Sequence, residues 1–343
     1  MMNTSRGHEN RDWSELIEVL NANDSFIFST HVEPDADGLG SELALARVLS
    51  GMGKTVHILN PTDIRSNLDF LPKSGEVEVY STKQHAAVLD KTQVFIAFDV
   101  GHYNRLNSLG EDLLASEVLK LSVDHHPGDK SQFDQIFDYP DVSSTGVLIY
   151  GLLKQLDSSY ISDIEVAKPL YAAMMSDTGN FRFNNTDPET LHAAADLVAV
   201  GVKPYELYVN IYENLNTPGR LLVLQELLNT IQYDCEGQLA WAVIDLDELS
   251  HQGVVPDDLH SLSDFIRSVR GVEVGAAITK LPGKAVDVSL RSKGKYAING
   301  VAKQFGGGGH AFAAGCSLDE PLEEATKKLV AACREVITNG SAG

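Results

Sequence analysis

The chain predicts an α/β protein of two domains, an N-terminal parallel-sheet domain and a smaller C-terminal α/β domain. Three observations carry this. At 343 residues it is too long for one compact core. Across the first part, short apolar runs alternate with amphipathic helical runs, as in a parallel sheet with crossover helices. Around Tyr233 the pattern changes to segments that alternate apolar and polar positions, a strand signature.

Taken in order, SELIEVLNAN reads as an opening helix with Leu16, Ile17, Val19 and Leu20 on its apolar face. FIFSTH reads as a short buried strand and GLGSELALARVLSGMG as a helix closed by Gly51 and Gly53. TVHILN, VEVY, VFIAFD and VLKLSVD read as further strands, with STGVLIYGLLKQL and EVAKPLYAAMMSD as the helices that follow. Residues 187–230 read as mostly helical, punctuated by Pro204 and Pro218. The expected division is a first domain over 10–200, a helical connector over 201–231 and a second domain over 232–343. In the latter, LAWAVIDL, GVEVGAAITKL and AVDVSLRS are strands and PLEEATKKLVAACREVI is an amphipathic closing helix. The NGSAG end reads as frayed, and no internal repeat or low-complexity segment is found.

Composition narrows the function classes. No apolar run approaches the roughly 20 residues that span a bilayer. The start, MMNTSRGHENRDW, is polar and lacks the apolar region of a secretory signal. Cys235, Cys316 and Cys333 are an odd number without metal spacing, which points to reduced, buried thiols in a cytoplasmic protein. The net charge of −21, with no Lys/Arg block, argues against an enzyme that grips a long duplex. A short or mononucleotide substrate stays open, because bound divalent cations reverse the field of an acidic site.

The chemistry concentrates in His31, Asp35 and Asp37 of HVEPDADG, Asp99, the Asp124-His125-His126 triplet and Asp177. His31, Asp99 and Asp124 each follow an apolar strand-like run, so the carboxyl ends of strands would gather them at one rim, where open α/β sheets bind ligands. A charge at the end of VFIAFD is costly unless paired or coordinated. The competing reading of Asp99 is a helix N-cap; for the histidines it is a surface or core pair, and for Asp177 a turn aspartate before Gly179. Carboxylates and imidazoles without thiolates suit divalent ions such as Mn²⁺, and Mg²⁺ or Co²⁺ accept the same set. Two such ions about 3.5–4 Å apart are a common solution for phosphoester hydrolysis.

In the second domain, Gly306-Gly307-Gly308-Gly309 lets backbone N–H groups approach a phosphate or base closely, beside His310. Arg291 can hold a phosphate bidentately and Ser292 can add a hydroxyl. The glycines also read as a flexible turn, and Arg182 of GNFRF reads either as substrate-facing or as a strand-edge arginine. Arg105 and the Ser143-Ser144-Thr145 helix start are weaker candidates for substrate contact.

HVEPDADG, the aspartate of FDVGH, the DHH triplet and SDTGNFRF together resemble the successive motifs of the DHH phosphoesterase superfamily. SLRSKGKYAINGVAKQFGGGGHAFAAG resembles the Arg-Ser element and GGGH signature of its DHHA1 domain. The stand-alone nano-RNase (oligoribonuclease) and pAp-phosphatase type matches best. The resemblance implies an active site in the cleft between the domains and two divalent ions, Mn²⁺ by expectation. It implies His31, Asp35 and Asp99 as ligands of one ion, and Asp37, Asp99, His125 and Asp177 as ligands of the other. His126 would contact the scissile phosphate and Asp124 would orient the neighbouring histidine. Arg291, Ser292, the four glycines, His310 and Arg182 would bind substrate. The implied substrates are single-stranded RNAs of about two to five nucleotides and pAp, with water activated between the ions as attacking group. The alternative within the superfamily is a phosphodiesterase for cyclic dinucleotides or linear products such as pApA. A homodimer is compatible with the resemblance, though no residue argues it.

Overall fold

The computed structural model describes residues 11–213, 217–259, 261–281 and 286–340. Residues 1–10, which carry most of the polar N-terminal reading, and 341–343, the last three of the NGSAG end, lie outside the described residues. The chain divides into two compact units, Met1–Glu213 and Asn214–Gly343.

In the first unit, α1 (Ser14–Ala22) precedes β1 (Ser25–Ser29), α2 (Ala36–Gly51), β2 (Thr55–Asn60) and β3 (Val77–Val79). Then come α3 (Thr82–Leu89), β4 (Val94–Phe98), α4 (Asn107–Leu114), β5 (Leu119–Asp124) and β6 (Gln135–Asp138). The helices α5 (Thr145–Asp157), α6 (Ile164–Asp177), α7 (Pro188–Val200) and α8 (Pro204–Tyr208) follow, with a π-helical turn over Val209–Glu213. The sheet runs β3-β2-β1-β4-β5-β6 with every pairing parallel. The chain therefore builds outward in opposite directions from between β1 and β4. That reversal of strand order opens a crevice at the carboxyl ends of these two strands, and the residues after β1 and β4 fall there.

Both faces of the sheet are covered, which is why VFIAF is buried along its whole length and does not alternate. On one face, Phe28 and Phe98 meet edge-to-face 5.0 Å apart just before the strands end. Each such fully buried ring contributes roughly 1.5–3 kcal/mol. Small residues let the covering helices approach. A Cβ on Gly40 would lie 2.3 Å from the Pro169 carbonyl oxygen, and one on Gly146 would lie 2.5 Å from Ala173 Cβ. Glycine at these two positions is what lets α2 and α5 close on α6.

Three elements of this unit were not expected. QIFD (β6) is a four-residue edge strand, and α3 buries only His85, so neither shows a periodicity long enough to read. α4 is masked by the turn-like glycine Gly110, which packs against the Tyr103 ring.

The second unit carries α9 (Pro218–Thr230), β7 (Gln232–Asp234), β8 (Leu239–Asp245), α10 (Leu246–Leu249), α11 (Leu262–Ser268), β9 (Val274–Lys280) and β10 (Val286–Ser292). It ends with α12 (Asn299–Gln304), β11 (Gly308–His310), β12 (Ala313–Leu318) and α13 (Leu322–Thr338). Its sheet is mixed, in the order β11-β12-β10-β9-β8-β7, parallel only between β8 and β9. Cys316 and Cys333 are buried free thiols, and burial pushes them up to about 11 and about 12, which makes them packing groups and not nucleophiles. Among the described residues, no helix is long and apolar enough to cross a membrane.

Candidate metal centre

Each acidic or imidazole side chain singled out in the first unit is delivered by the end of an element. His31 follows β1, and Asp35 caps α2, its Oδ1 accepting from the main chain of Asp37 (2.9 Å) and Gly38 (3.2 Å). Asp37, fully buried in the first turn of α2, reaches the start of α5. Its two oxygens accept from the main-chain N–H groups of Thr145 and Gly146, both at 2.8 Å. The helix N-terminus thus supplies partial positive charge to a buried carboxylate. Asp177 closes α6, and Asp124 closes β5 with His125 and His126 immediately after.

Asp99 is the centre of the arrangement. It follows β4 with φ of 61°, in the left-handed region, a strained conformation costing on the order of 1–3 kcal/mol for a non-glycine residue. That turn aims its two carboxyl oxygens at different neighbours. Oδ2 lies 3.6 Å from His31 Nε2, while Oδ1 lies 3.4 Å from His125 Nε2 and 2.9 Å from His126 Nδ1. Thr145 Oγ1 donates to Oδ1 at 3.3 Å. Oδ2 is buried and accepts no hydrogen bond among the described residues.

Around this carboxylate the donors fall into two groups. His31 Nε2 is 3.6 Å from Asp35 Oδ2, so His31, Asp35 and Asp99 form one cluster. His125 Nε2 is 3.5 Å from Asp37 Oδ2 and 3.3 Å from Asp177 Oδ2, so Asp37, His125 and Asp177 form another. The second nitrogen of each imidazole is tied elsewhere. His125 Nδ1 donates to the Val142 carbonyl at 3.0 Å, and His31 Nδ1 lies 2.6 Å from the Val32 carbonyl. A carbonyl only accepts, so the proton sits on Nδ1 and Nε2 is left to face the carboxylates, the tautomer a metal ligand needs. Arg105 sets its guanidinium 3.1 Å from the same His31 Nδ1 and donates to the Val32 carbonyl. Arg105 thus turns toward His31, and Ser144 and Thr145 turn toward the α5 cap and Asp37.

The electrostatics fit a cation. Burial and the neighbouring Asp99 and Asp177 push Asp37 well above the usual carboxylate range. Burial, outweighing the His125 field, pushes partly exposed Asp177 up to about 6. Burial acts against the charge on Asp99 too, but His126, His125 and His31 hold it well below its ordinary value. For His31, burial disfavours the imidazolium, yet Asp35 and Asp99 raise it to about 10. For His125, Asp177 and Asp99 likewise outweigh burial and raise it to about 10. Protons on the imidazoles stand in for positive charge that this carboxylate cluster demands. Oxygen and imidazole donors without sulfur match a hard or borderline divalent ion.

The remaining expected residues each have their own local setting. GNFRF is a turn and not a strand, with Asn180 and Phe181 at φ of 60° and 59°, so the strand-edge reading of Arg182 falls. Arg182 is exposed and its Nε donates to the Gly179 carbonyl at 2.7 Å. Arg291, on β10, lies 3.5 Å from Asp264 Oδ2, and Ser292 is buried with its Oγ accepting from Gly294 N at 3.2 Å. The glycine run is not a slack turn. Gly306 (φ 76°) ends α12, and Gly308, Gly309 and His310 form β11 against β12. A Cβ on Gly307 would lie 2.1 Å from the Gly315 carbonyl oxygen, whereas one on Gly308 would meet nothing within 4 Å. Packing explains Gly307; it leaves Gly308 without a steric reason.

Sequence reasoning missed the groups behind the donors: Lys130, and the buried pair Glu42 and Asn60. Asn60 donates to Glu42 Oε1 at 2.7 Å and accepts from Thr30 N at 2.9 Å, pinning the backbone just before His31. Only the charge of Glu42, set among the small and apolar residues of GLGSELALA, offered a signal.

Comparison with known proteins places these motifs. The DHH family, N-terminal domain, matches residues 25–176, and the DHHA1 domain matches residues 237–339. The bifunctional oligoribonuclease and PAP phosphatase NrnA of Thermus thermophilus is 31% identical over 96% of this chain and 97% of its own length. The protein of the same name from Bacillus subtilis is 27% identical over 89% of this chain and 93% of its own. A crystal structure of an exopolyphosphatase-related protein from Bacteroides fragilis shares the fold with a TM-score of 0.87, at 24% identity, covering 95% of this chain and 96% of that one. With both domains matched in order and a relative aligned along nearly its whole length, the chain belongs to the DHH family and carries a C-terminal DHHA1 domain.

Proposed function

We propose that this chain is a phosphoesterase that hydrolyses very short oligoribonucleotides, of about two to five nucleotides, to mononucleotides and removes the 3′-phosphate of pAp, in the cytoplasm. The observation that carries the reading is the division of Asp99, one carboxyl oxygen toward the His31 cluster and the other toward the His125 cluster. A carboxylate so placed suits two adjacent divalent ions, His31, Asp35 and Asp99 holding one and Asp37, Asp99, His125 and Asp177 the other. When bound, two such ions, Mn²⁺ in this reading, supply Lewis acidity and a nucleophile active at neutral pH. The relatives that span nearly the whole chain are named for oligoribonuclease and PAP phosphatase activity, which supports the substrate class.

The chain's own residues then take definite parts. His126, partly exposed beside Asp99 and Asp124, meets the phosphate and steadies charge that develops on it. Asp124 fixes the His126 ring through Nδ1. In the second unit, Arg291, Ser292, the Gly306–Gly309 run and His310 are the substrate-binding residues of this reading, and Arg182 is that of the first unit; Gly308, where a Cβ would meet nothing within 4 Å, leaves its main chain open to a ligand.

The test incubates purified protein with Mn²⁺, and then with EDTA, against a two-to-five-nucleotide RNA ladder, pAp, a linear di-adenylate and cyclic di-adenylate. Mononucleotides from the short RNAs and phosphate from pAp, both lost in EDTA, are the expected result. Fastest cleavage of the cyclic compound would move the assignment to a cyclic-dinucleotide phosphodiesterase. No turnover of any substrate would refute the reading.

A further inference from the structure

Lys130 is an unusual lysine. Its side chain is 3% exposed, and its ammonium has three partners: it donates to the His126 carbonyl at 2.7 Å and forms ion pairs with Asp124 Oδ2 at 3.0 Å and Asp138 Oδ2 at 2.8 Å. A buried ammonium persists only where such partners replace water. Two of the three belong to the triplet that ends β5. Asp124 is fully buried, and its other oxygen, Oδ1, accepts from His125 N at 2.7 Å and His126 N at 2.9 Å and faces His126 Nδ1 at 3.0 Å. Lys130 therefore grips His126 twice, at its carbonyl directly and at its ring through Asp124. The third partner, Asp138, pairs with Asp124 in the β5–β6 register and anchors the ammonium to the sheet.

The loop that returns Lys130 to this position is tightly defined. A Cβ on Gly128 would lie 1.5 Å from the Gly101 carbonyl oxygen, so Pro127-Gly128 passes directly against the segment after Asp99. A lysine two residues later is thereby folded beneath the triplet instead of into solvent.

We propose that Lys130 is a positioning residue for His126: by neutralising Asp124 and holding the His126 carbonyl, it fixes the imidazole that meets the phosphate. This rests on the phosphoesterase reading above. No pair of Lys130 with His31, Asp35, Asp37, Asp99, His125 or Asp177 is found, so its loss acts on the reaction and not on metal affinity. Lys130 supplies no proton and touches no substrate.

The experiment compares Lys130→Met, Lys130→Gln combined with Asp138→Asn, and Asp138→Asn alone. The double variant replaces the buried ion pair by an amide pair and keeps the question answerable if Lys130→Met does not fold. Turnover of pAp in saturating Mn²⁺ is expected to fall roughly 10–100-fold in both Lys130 variants, the usual size for groups that orient a site residue. KM and the Mn²⁺ dissociation constant from calorimetry should stay within about threefold, because ground-state binding is untouched. Asp138→Asn alone should keep turnover within about threefold, since the ammonium still faces Asp124 and His126. A purely structural role would instead make Asp138→Asn as damaging as the lysine variants, or lower Mn²⁺ affinity in step with turnover; either result overturns the proposal. Near-wild-type turnover in both lysine variants overturns it as well. Amide hydrogen exchange across residues 122–131 judges the proposal independently of activity: faster exchange at His125 and His126 in the lysine variants is expected, and unchanged exchange refutes it. If the wild type itself turns over no substrate, the phosphoesterase reading fails, and the exchange data still decide whether Lys130 holds the triplet.

Discussion

His126 Nδ1 is within hydrogen-bonding distance of two carboxylates, Asp99 at 2.9 Å and Asp124 at 3.0 Å, while His125 one residue earlier turns its Nε2 to three. Adjacent histidines are thus set differently among the carboxylates, as the division of roles proposed for them requires. His126→Ala should cost turnover several kcal/mol, roughly 10³-fold, while calorimetry shows Mn²⁺ binding nearly unchanged. Activity retained within a few-fold would remove His126 from the chemistry. Asp99→Asn makes the complementary test, because asparagine tolerates the left-handed backbone and the fold should survive. It should abolish turnover and weaken metal binding together, read by the same two measurements. The cluster was legible in the sequence because His31, Asp99 and Asp124 each follow an apolar run, as Asp99 follows VFIAF. Arg105 was legible only as a weaker candidate for substrate contact and not as the neighbour of His31, and Lys130 was not legible at all. Lys130 arrives through a loop, and nothing in its spacing separates a buried ammonium from a solvated one.

Elements set the distances between those donors. α2 carries Asp37 and buries Glu42, whose carboxyl is pushed up to about 8 by burial, only partly offset by the Asn60 amide and His31. Its folded value exceeds the ordinary 4.5, so the protonated form favours the folded state; that contribution is complete below pH 4.5 and is lost as pH rises through about 8. Glu42→Gln keeps an acceptor for Asn60 and removes the charge. It should melt like the wild type at pH 5 and be more stable by up to a few kcal/mol at pH 9, with EDTA present throughout. Equal melting curves at both pH values would mean that Glu42 carries no such penalty. Gly146→Ala probes the α5–α6 contact, where the added Cβ meets Ala173 at 2.5 Å and Asp37 Oδ1 at 3.4 Å. Overpacking of this kind costs about 1–3 kcal/mol, and because Asp177 ends α6 and Asp37 is held by the main-chain N–H groups at the start of α5, Mn²⁺ affinity should drop with the melting temperature. The sheet's long elements were readable from periodicity. β6 and β11 were not, since one is a four-residue edge and the other is built partly of glycines whose strand character exists only through pairing with β12.

At the scale of the whole molecule the charge of −21 is unevenly meaningful, because Asp35, Asp37, Asp99 and Asp177 converge within the first unit while the second unit holds no comparable cluster among the described residues. Mutual repulsion there is relieved in the metal-free protein by protons on His31 and His125, both raised to about 10 once Asp35, Asp99 and Asp177 have overcome the cost of burial. Their stabilising contribution is complete below the ordinary imidazole value of 6.5 and disappears as pH climbs through about 10. A divalent ion and a proton compete for the same Nε2 atoms, so metal binding must release protons and strengthen as pH rises. At a free ion concentration of about 100 times its dissociation constant, linkage adds about 2.7 kcal/mol to the folded state. For a unit of this size that raises the melting temperature by roughly 5–10 °C. Calorimetry of the full chain should therefore show a transition of the first unit that EDTA lowers and Mn²⁺ raises, with the shift larger at pH 8.5 than at pH 6.5, beside a transition of the second unit that ignores both. Titration at pH 8 in buffers of differing ionisation enthalpy should record net proton release on Mn²⁺ binding. A metal shift that is the same at both pH values, with no protons released, would mean the ions bind away from the two imidazoles. In that case Asp99 would bridge nothing, and the two-ion reading of this cluster would have to be abandoned.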